Sequence, residues 1–249
     1  MTTRDREMTL IEHLEELRQR LQYAVLGLLI ATGLGLVFVD PLLHLLLRPT
    51  GEMKLTTLTV LEPFLVKVKV AMLFGIAVSM PWILYQLFAF VDPALTENER
   101  RRVVPLAVLS GALFAVGIVF GYWIVLPVST RWLLSQAGNQ FHVLLTANAY
   151  INYVLFFLLI VGGTFETPLV ILSLAALGLV TPQTLRREWR IAYMVIAAIA
   201  VFATPDWSPV TMALVAIPMG LLYEFSIVLC RIFIRPPAPQ PARPSTQAS

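Results

Sequence analysis

Apolar residues in this chain come in long runs rather than in alternation. Six runs stand out, at residues 21–39, 70–91, 103–126, 149–180, 191–203 and 210–223. A run of about twenty apolar residues is the length of a transmembrane helix, so the pattern predicts six spans. The fourth run is long. At about 1.5 Å per residue it reaches about 48 Å, against a hydrocarbon core of about 30 Å, so it must tilt, bend or protrude. The fifth and sixth runs are short, which implies local thinning of the bilayer or shelter by other helices.

Between the runs the pattern is polar and punctuated. Thr9-Leu10-Ile11-Glu12 matches a capping box, and Leu10, Leu14, Leu17 and Leu21 recur at helical spacing. Residues 1–20 therefore read as an amphipathic helix on the membrane surface that leads into the first span. Residues 21–235 form the membrane domain. Within the connector 41–69, residues 41–47 predict a short interfacial helix, 48–51 a turn and 55–61 an extended piece, and Glu62-Pro63 starts the next helix. Residues 92–102 form a polar loop with a second capping box, Thr96-Glu97-Asn98-Glu99, and residues 128–148 form a loop on the opposite face. Thr181-Pro182 and Ser208-Pro209 are helix starts. Residues 236–249, rich in Pro, Ala and Ser, are expected to be a disordered tail.

Composition agrees with this picture. The 249 residues are 58% hydrophobic and only 13% charged, against about a quarter charged in a soluble domain. The net charge of +3 is small. Its distribution bears on topology and not on a nucleic-acid partner. Six spans put both termini on one side, and that face carries thirteen Lys and Arg residues against five on the other. The excess predicts that both termini are cytoplasmic. Met1 to Arg20 mixes both signs of charge and precedes a run longer than a signal-peptide core, so a retained first span is expected. Cys230, the single cysteine, cannot form an internal disulfide.

Candidate chemistry lies in a few polar residues. Glu166 is the only charge in the fourth run, inside Gly162-Gly163-Thr164-Phe165-Glu166-Thr167-Pro168. A carboxyl near the bilayer centre is costly and marks a functional site by default. Pro168 frees a carbonyl one turn earlier and should bend the rod. Two readings stay open: a carboxyl presented to an intramembrane cavity, or a protonated Glu tied to a neighbouring helix. Near one face, Glu12, Glu15 and Glu16 precede the first span, and Glu97 and Glu99 precede the third. Such carboxylates suit a basic peptide, because Arg binds carboxylate as a fork. They equally suit capping boxes and the i,i+4 pair Glu16–Arg20. Tyr85 and Gln86 lie within the second span, Asp206 in the turn between the short spans, and Glu224 near the end of the sixth. His13, His44 and His142 lie outside the spans. No H-E-x-x-H motif, nucleotide-binding glycine loop or inverted repeat is evident, so neither an enzyme nor a cofactor or metal is expected. Three functions fit: a receptor for basic peptides, a proton-coupled small-molecule carrier using Glu166, or a scaffold in which Glu166 only ties helices.

A series of motifs then narrows the choice. His13-Leu-Glu-Glu-Leu-Arg18, Tyr85-Gln-Leu-Phe-Ala-Phe-Val-Asp-Pro-Ala-Leu95, Glu99-Arg100-Arg101, Phe165-Glu166-Thr167-Pro168, Thr204-Pro205-Asp206 and Leu222-Tyr223-Glu224 occur in this order. Together, from about Leu10 to Arg235, they resemble TatC, the large subunit of the twin-arginine protein translocase. The resemblance implies an all-α integral membrane fold. It has six spans, both termini in the cytoplasm, a long bent fourth span, short fifth and sixth spans and a glove-like concave face. It implies a receptor in a prokaryotic inner membrane for folded proteins carrying an Arg-Arg signal peptide. That receptor works with the single-span subunits TatA and TatB under the proton-motive force and self-associates. It places signal-peptide contacts on Glu16, Arg18, Phe90, Glu99 and Arg100, intramembrane polar contacts on Glu166 and Gln86, and an outer acidic turn on Asp206. There are two departures: the family's Thr-Pro-Pro-Asp turn has one proline here, and Glu15 adds a carboxylate beside Glu16.

Overall fold

A computed structural model describes residues 10–50, 55–91, 103–136, 144–176, 178–204 and 208–233. The predicted capping boxes, the 92–102 loop with Glu97, Glu99 and Arg100, the turn holding Asp206, and the 236–249 tail lie wholly or partly outside them.

The architecture is all-helical, as the runs predict. The described elements are α1 (Leu10–Val37), α2 (Val39–Leu47), α3 (Glu62–Val91), α4 (Val103–Phe120), α5 (Leu126–Ser135), α6 (Ala147–Thr164), α7 (Thr167–Ala176), α8 (Pro182–Arg187), α9 (Trp189–Ala203) and α10 (Pro209–Phe233). Among the described residues the extended piece reduces to one isolated bridge between Thr56 and Thr146. Five helical stretches are long and apolar enough to cross a membrane, and α9 is a shorter apolar helix of 15 residues. The short fifth span is thus observed. The sixth run needs a correction. It belongs to a 25-residue helix, because Glu224 does not end it: its carboxylate meets Arg186 of α8 at 2.6 Å and α10 continues to Phe233.

The third span is also longer than its apolar run. A π-helical turn, Gly121–Val125, separates α4 from α5. Pro127, which lacks an N–H and crowds the preceding turn, sits just after this wider turn, so the helix passes through to Ser135.

α3 is the hub of the first four spans and packs against α1, α2, α4 and α6. In a bilayer helices gain little from the hydrophobic effect on associating, so close approach through small residues carries the packing. Gly35 lies against Ala71 and Gly75 against Thr32 between α1 and α3. One core joins α2, α3, α5 and α6 around Val70, Leu126, Ile151 and Leu158. A second joins α7, α9 and α10 around Ile171, Ile196, Tyr223 and Cys230. The fourth span therefore serves both halves: α6 belongs to the first, and α7 packs on α10 in the second.

Polar ties fix the connector on the face opposite the start of α1. The Glu62 carboxylate accepts from Leu58 N at 2.7 Å and Asn148 N at 2.9 Å. Lys69 donates to Asn148 Oδ1 at 2.6 Å and Asn152 Oδ1 at 2.8 Å, and Lys67 pairs with Asp40 at 2.7 Å. The Lys67 ammonium holds the Asp40 carboxyl below the usual carboxylate range. Caps begin the later helices where the sequence places them. Thr181 Oγ1 accepts from Thr184 N at 3.1 Å, and Ser208 Oγ accepts from Thr211 N at 3.1 Å.

Candidate functional site

Two polar sites are built into this frame. The first begins with the break in the fourth span. Pro168 offers no N–H to the Thr164 carbonyl four residues earlier, and Thr167 Oγ1 donates to that carbonyl at 2.6 Å instead. Thr164 Oγ1 in turn donates to Val161 O at 2.7 Å. The chain turns at Phe165 and Glu166, and the helix resumes as α7 with Glu166 O accepting from Leu169 N and Val170 N. The bend turns the Glu166 carboxyl toward α4. Ser110 Oγ donates to Glu166 Oε1 at 3.0 Å; Ser110 is fully buried and Glu166 is 6% exposed.

The Ser110 contact ties Glu166 to α4, as the second of the two readings expects. Close packing causes this. Gly117 of α4 and Gly162 of α6 let the backbones meet, and Phe165 closes over the contact. The tie is incomplete, because Glu166 Oε2 is buried with no hydrogen-bond partner among the described residues. A groove of about 580 Å³ between α6 and α9 opens at Gly163 and Thr164, next to the break. The sequence pattern did not single out Ser110. Its signal was available: apart from Tyr122, it is the only hydroxyl in the third apolar run.

The second site lies where α1 crosses the end of α3. The leucine stripe predicts an amphipathic helix on the membrane surface, and its apolar side is turned away from the bundle: Ile11 is 80% exposed and Leu14 64%. The inward face is polar: His13, Glu16 and Arg20 are half-buried there, and the His13 ring stacks on Phe90 with centroids 4.4 Å apart. Arg20 Nη2 reaches Glu16 Oε1 at 3.3 Å, and Arg20 Nη1 donates to Gln86 Oε1 at 3.4 Å. Gln86 is 4% exposed. The structure thus places Gln86 beside Arg20, which also reaches Glu16, and brings Phe90 to the same patch through His13. Glu16 Oε2 is buried without a partner among the described residues. Glu15 faces outward and pairs with Arg18 at 3.6 Å, both exposed. Of the two adjacent carboxylates, Glu16 is the one in the patch.

Among the described residues no group of His, Cys, Asp and Glu could hold a metal ion.

This is a multi-span helical membrane protein with one carboxylate patch at a bundle face and one acid buried mid-span. A family model for the Sec-independent protein translocase protein TatC matches residues 12–218. The chain is 35% identical to the Sec-independent protein translocase protein TatC of Carboxydothermus hydrogenoformans over 237 residues, covering 93% of this chain and 96% of that protein. It is 37% identical to TatC of Aquifex aeolicus over 235 residues, covering 92% and 97%. A crystal structure of the twin-arginine translocase receptor TatC superimposes with a TM-score of 0.75 at 34% identity, covering 90% of this chain and all of that one. The chain belongs to the TatC family and is a protein translocase component.

Proposed function

We propose that this chain is the receptor subunit that docks twin-arginine signal peptides on the face formed by the start of α1 and the end of α3, in a prokaryotic cytoplasmic membrane with both termini in the cytoplasm. The observation that carries the reading is the half-buried Glu16, one oxygen of which has no partner among the described residues, near Gln86 and the His13–Phe90 stack. A buried acceptor beside aromatic rings suits a guanidinium, which forms bidentate bonds to carboxylate and stacks on rings. Family membership supports Glu99 as the second docking acid, with Arg18 and Arg100 bordering the site. Each charge-assisted contact contributes about 1.5–3 kcal/mol before screening by water.

The docked peptide's apolar segment lies along the spans. Export proceeds with TatA and TatB, driven by the proton-motive force. Glu166 and Asp206 are the polar contacts for partner helices and for the opposite face, and copies of the chain associate in the receptor complex. The chain acts as a transporter subunit and not as an enzyme. A proton-coupled solute carrier would need no carboxylate patch on a bundle face, so the patch favours the receptor.

Crosslinking tests the reading. In membranes holding the full translocase, Glu16→Ala with Glu99→Ala should cut crosslinking of a twin-arginine signal peptide about tenfold or more, the scale of losing one to two such contacts. Undiminished crosslinking would refute it.

A further inference from the structure

We infer that Arg20 is a built-in competitor for the docking acid: its guanidinium occupies Glu16 in the empty receptor and must leave when a signal-peptide arginine arrives. The inference rests on the reading of Glu16 as the docking acid and concerns how that site is regulated.

Three observations point the same way. First, Arg20 presents to Glu16 the same chemical group as the proposed ligand. It sits one helical turn along α1, where i,i+4 geometry brings the two side chains together. Second, the contact is weak for its kind. A single 3.3 Å approach engages Oε1, and Oε2 is buried without a partner among the described residues, whereas charge-assisted N–H···O bonds run about 2.7–2.9 Å and a full fork uses both oxygens. An incoming arginine that takes both oxygens completes what Arg20 leaves incomplete. Third, Arg20 has a second partner in place. Gln86 Oε1 already accepts from its Nη1 at 3.4 Å, so the displaced guanidinium stays hydrogen-bonded and is not abandoned in a half-buried site. Glu16, Arg20 and Gln86 thus form an exchange device, with Gln86 the holder of the displaced side chain.

Such a device has a quantitative consequence. If a fraction of receptors has Glu16 occupied by Arg20, the apparent affinity for every ligand of Glu16 is lowered by the same factor. The Gln86 hydrogen bond is kept on displacement, so the i,i+4 ion pair alone sets that factor, at about two- to threefold. Removing the competitor therefore tightens binding of arginine and lysine peptides alike and leaves their ratio unchanged.

The experiment measures binding of a synthetic twin-arginine signal peptide, and of its Lys-Lys counterpart, to the purified full-length protein in detergent. Wild type, Glu16→Ala, Arg20→Gln and Arg20→Lys are compared, with thermal unfolding run on each. The expected result is that Arg20→Gln tightens both peptides about two- to threefold at constant ratio. Arg20→Lys, which keeps the charge but replaces the fork with a point charge, should tighten them by a smaller factor. Binding to Arg20→Gln that is equal to or weaker than wild type would overturn the inference, since Arg20 would then support the site. Arg20→Lys equal to wild type beside a tighter Arg20→Gln would also overturn it, because repulsion between like charges alone would explain the gain. Both outcomes leave Glu16 as the docking acid. Wild-type binding that Glu16→Ala does not weaken would instead remove that reading and the inference with it.

Discussion

Gly117→Leu is expected to destabilise the bundle strongly, by forcing apart the two helices that meet beside Glu166. A Cβ at Gly117 would lie 2.9 Å from the Gly162 Cα and 3.0 Å from the Phe165 Cβ. The nearest of these atoms is backbone, which cannot turn aside, and Phe165 is held in the bend beside Glu166. The side chain must push α4 off α6, and overpacking of this kind costs about 1–3 kcal/mol and occasionally more. The damage should spread, because the same displacement lengthens the 3.0 Å bond from Ser110 to Glu166. Gly163 supplies the contrast. Nothing lies within 4 Å of a Cβ built there, and it faces the groove between α6 and α9. Gly163→Ala should leave the fold intact and stabilise it by up to about 1 kcal/mol through helix propensity. Thermal unfolding of the two variants in one detergent checks the pair. Equal melting points would show that α4 and α6 do not meet closely at Gly117.

The second large effect concerns the buried carboxyl. Ser110→Ala removes the one donor that Glu166 has among the described residues, and leaving a buried polar group without a partner costs about 1–3 kcal/mol. Removing both partners should cost less than the sum of the single losses, because Glu166→Ala leaves no orphaned carboxyl behind. A double-mutant cycle of Ser110→Ala and Glu166→Ala, followed by denaturant unfolding, should yield a coupling of about 1 kcal/mol or more. Strict additivity would mean that the two side chains do not hold each other. The cycle reads the tie that Ser110 makes, while Glu166 Oε2 has no partner among the described residues.

How much of this the chain itself declared depends on the range of the interaction. The spans were legible because a membrane span must satisfy its own backbone and shows as a run of apolar residues. The break at Glu166 was legible from Pro168, and the caps at Thr181 and Ser208 from their sequence neighbours. What the polar face of α1 meets was not. With lipid as the solvent the leucine stripe turns outward, and His13, Glu16 and Arg20 turn in toward Gln86 and Phe90. Pairings across long sequence distance were equally hidden. Ser110 and Glu166 are 56 residues apart, and Arg20 and Gln86 are 66 apart. The full extent of α5 and α10 was hidden because the apolar runs end at Leu126 and Tyr223. A π-turn carries the third span past Pro127, and an ion pair to Arg186 holds Glu224 within α10.

Receptor function stands or falls on whether the carboxylates near the start of α1 and the end of α3 receive paired arginines. Calorimetric titration of the purified protein with a twin-arginine signal peptide and with its Lys-Lys counterpart decides this. The expected result is a preference for Arg-Arg of about tenfold or more, which disappears in the Glu16→Ala, Glu99→Ala double variant. Equal binding of the two peptides, or a preference that survives in the double variant, would contradict it.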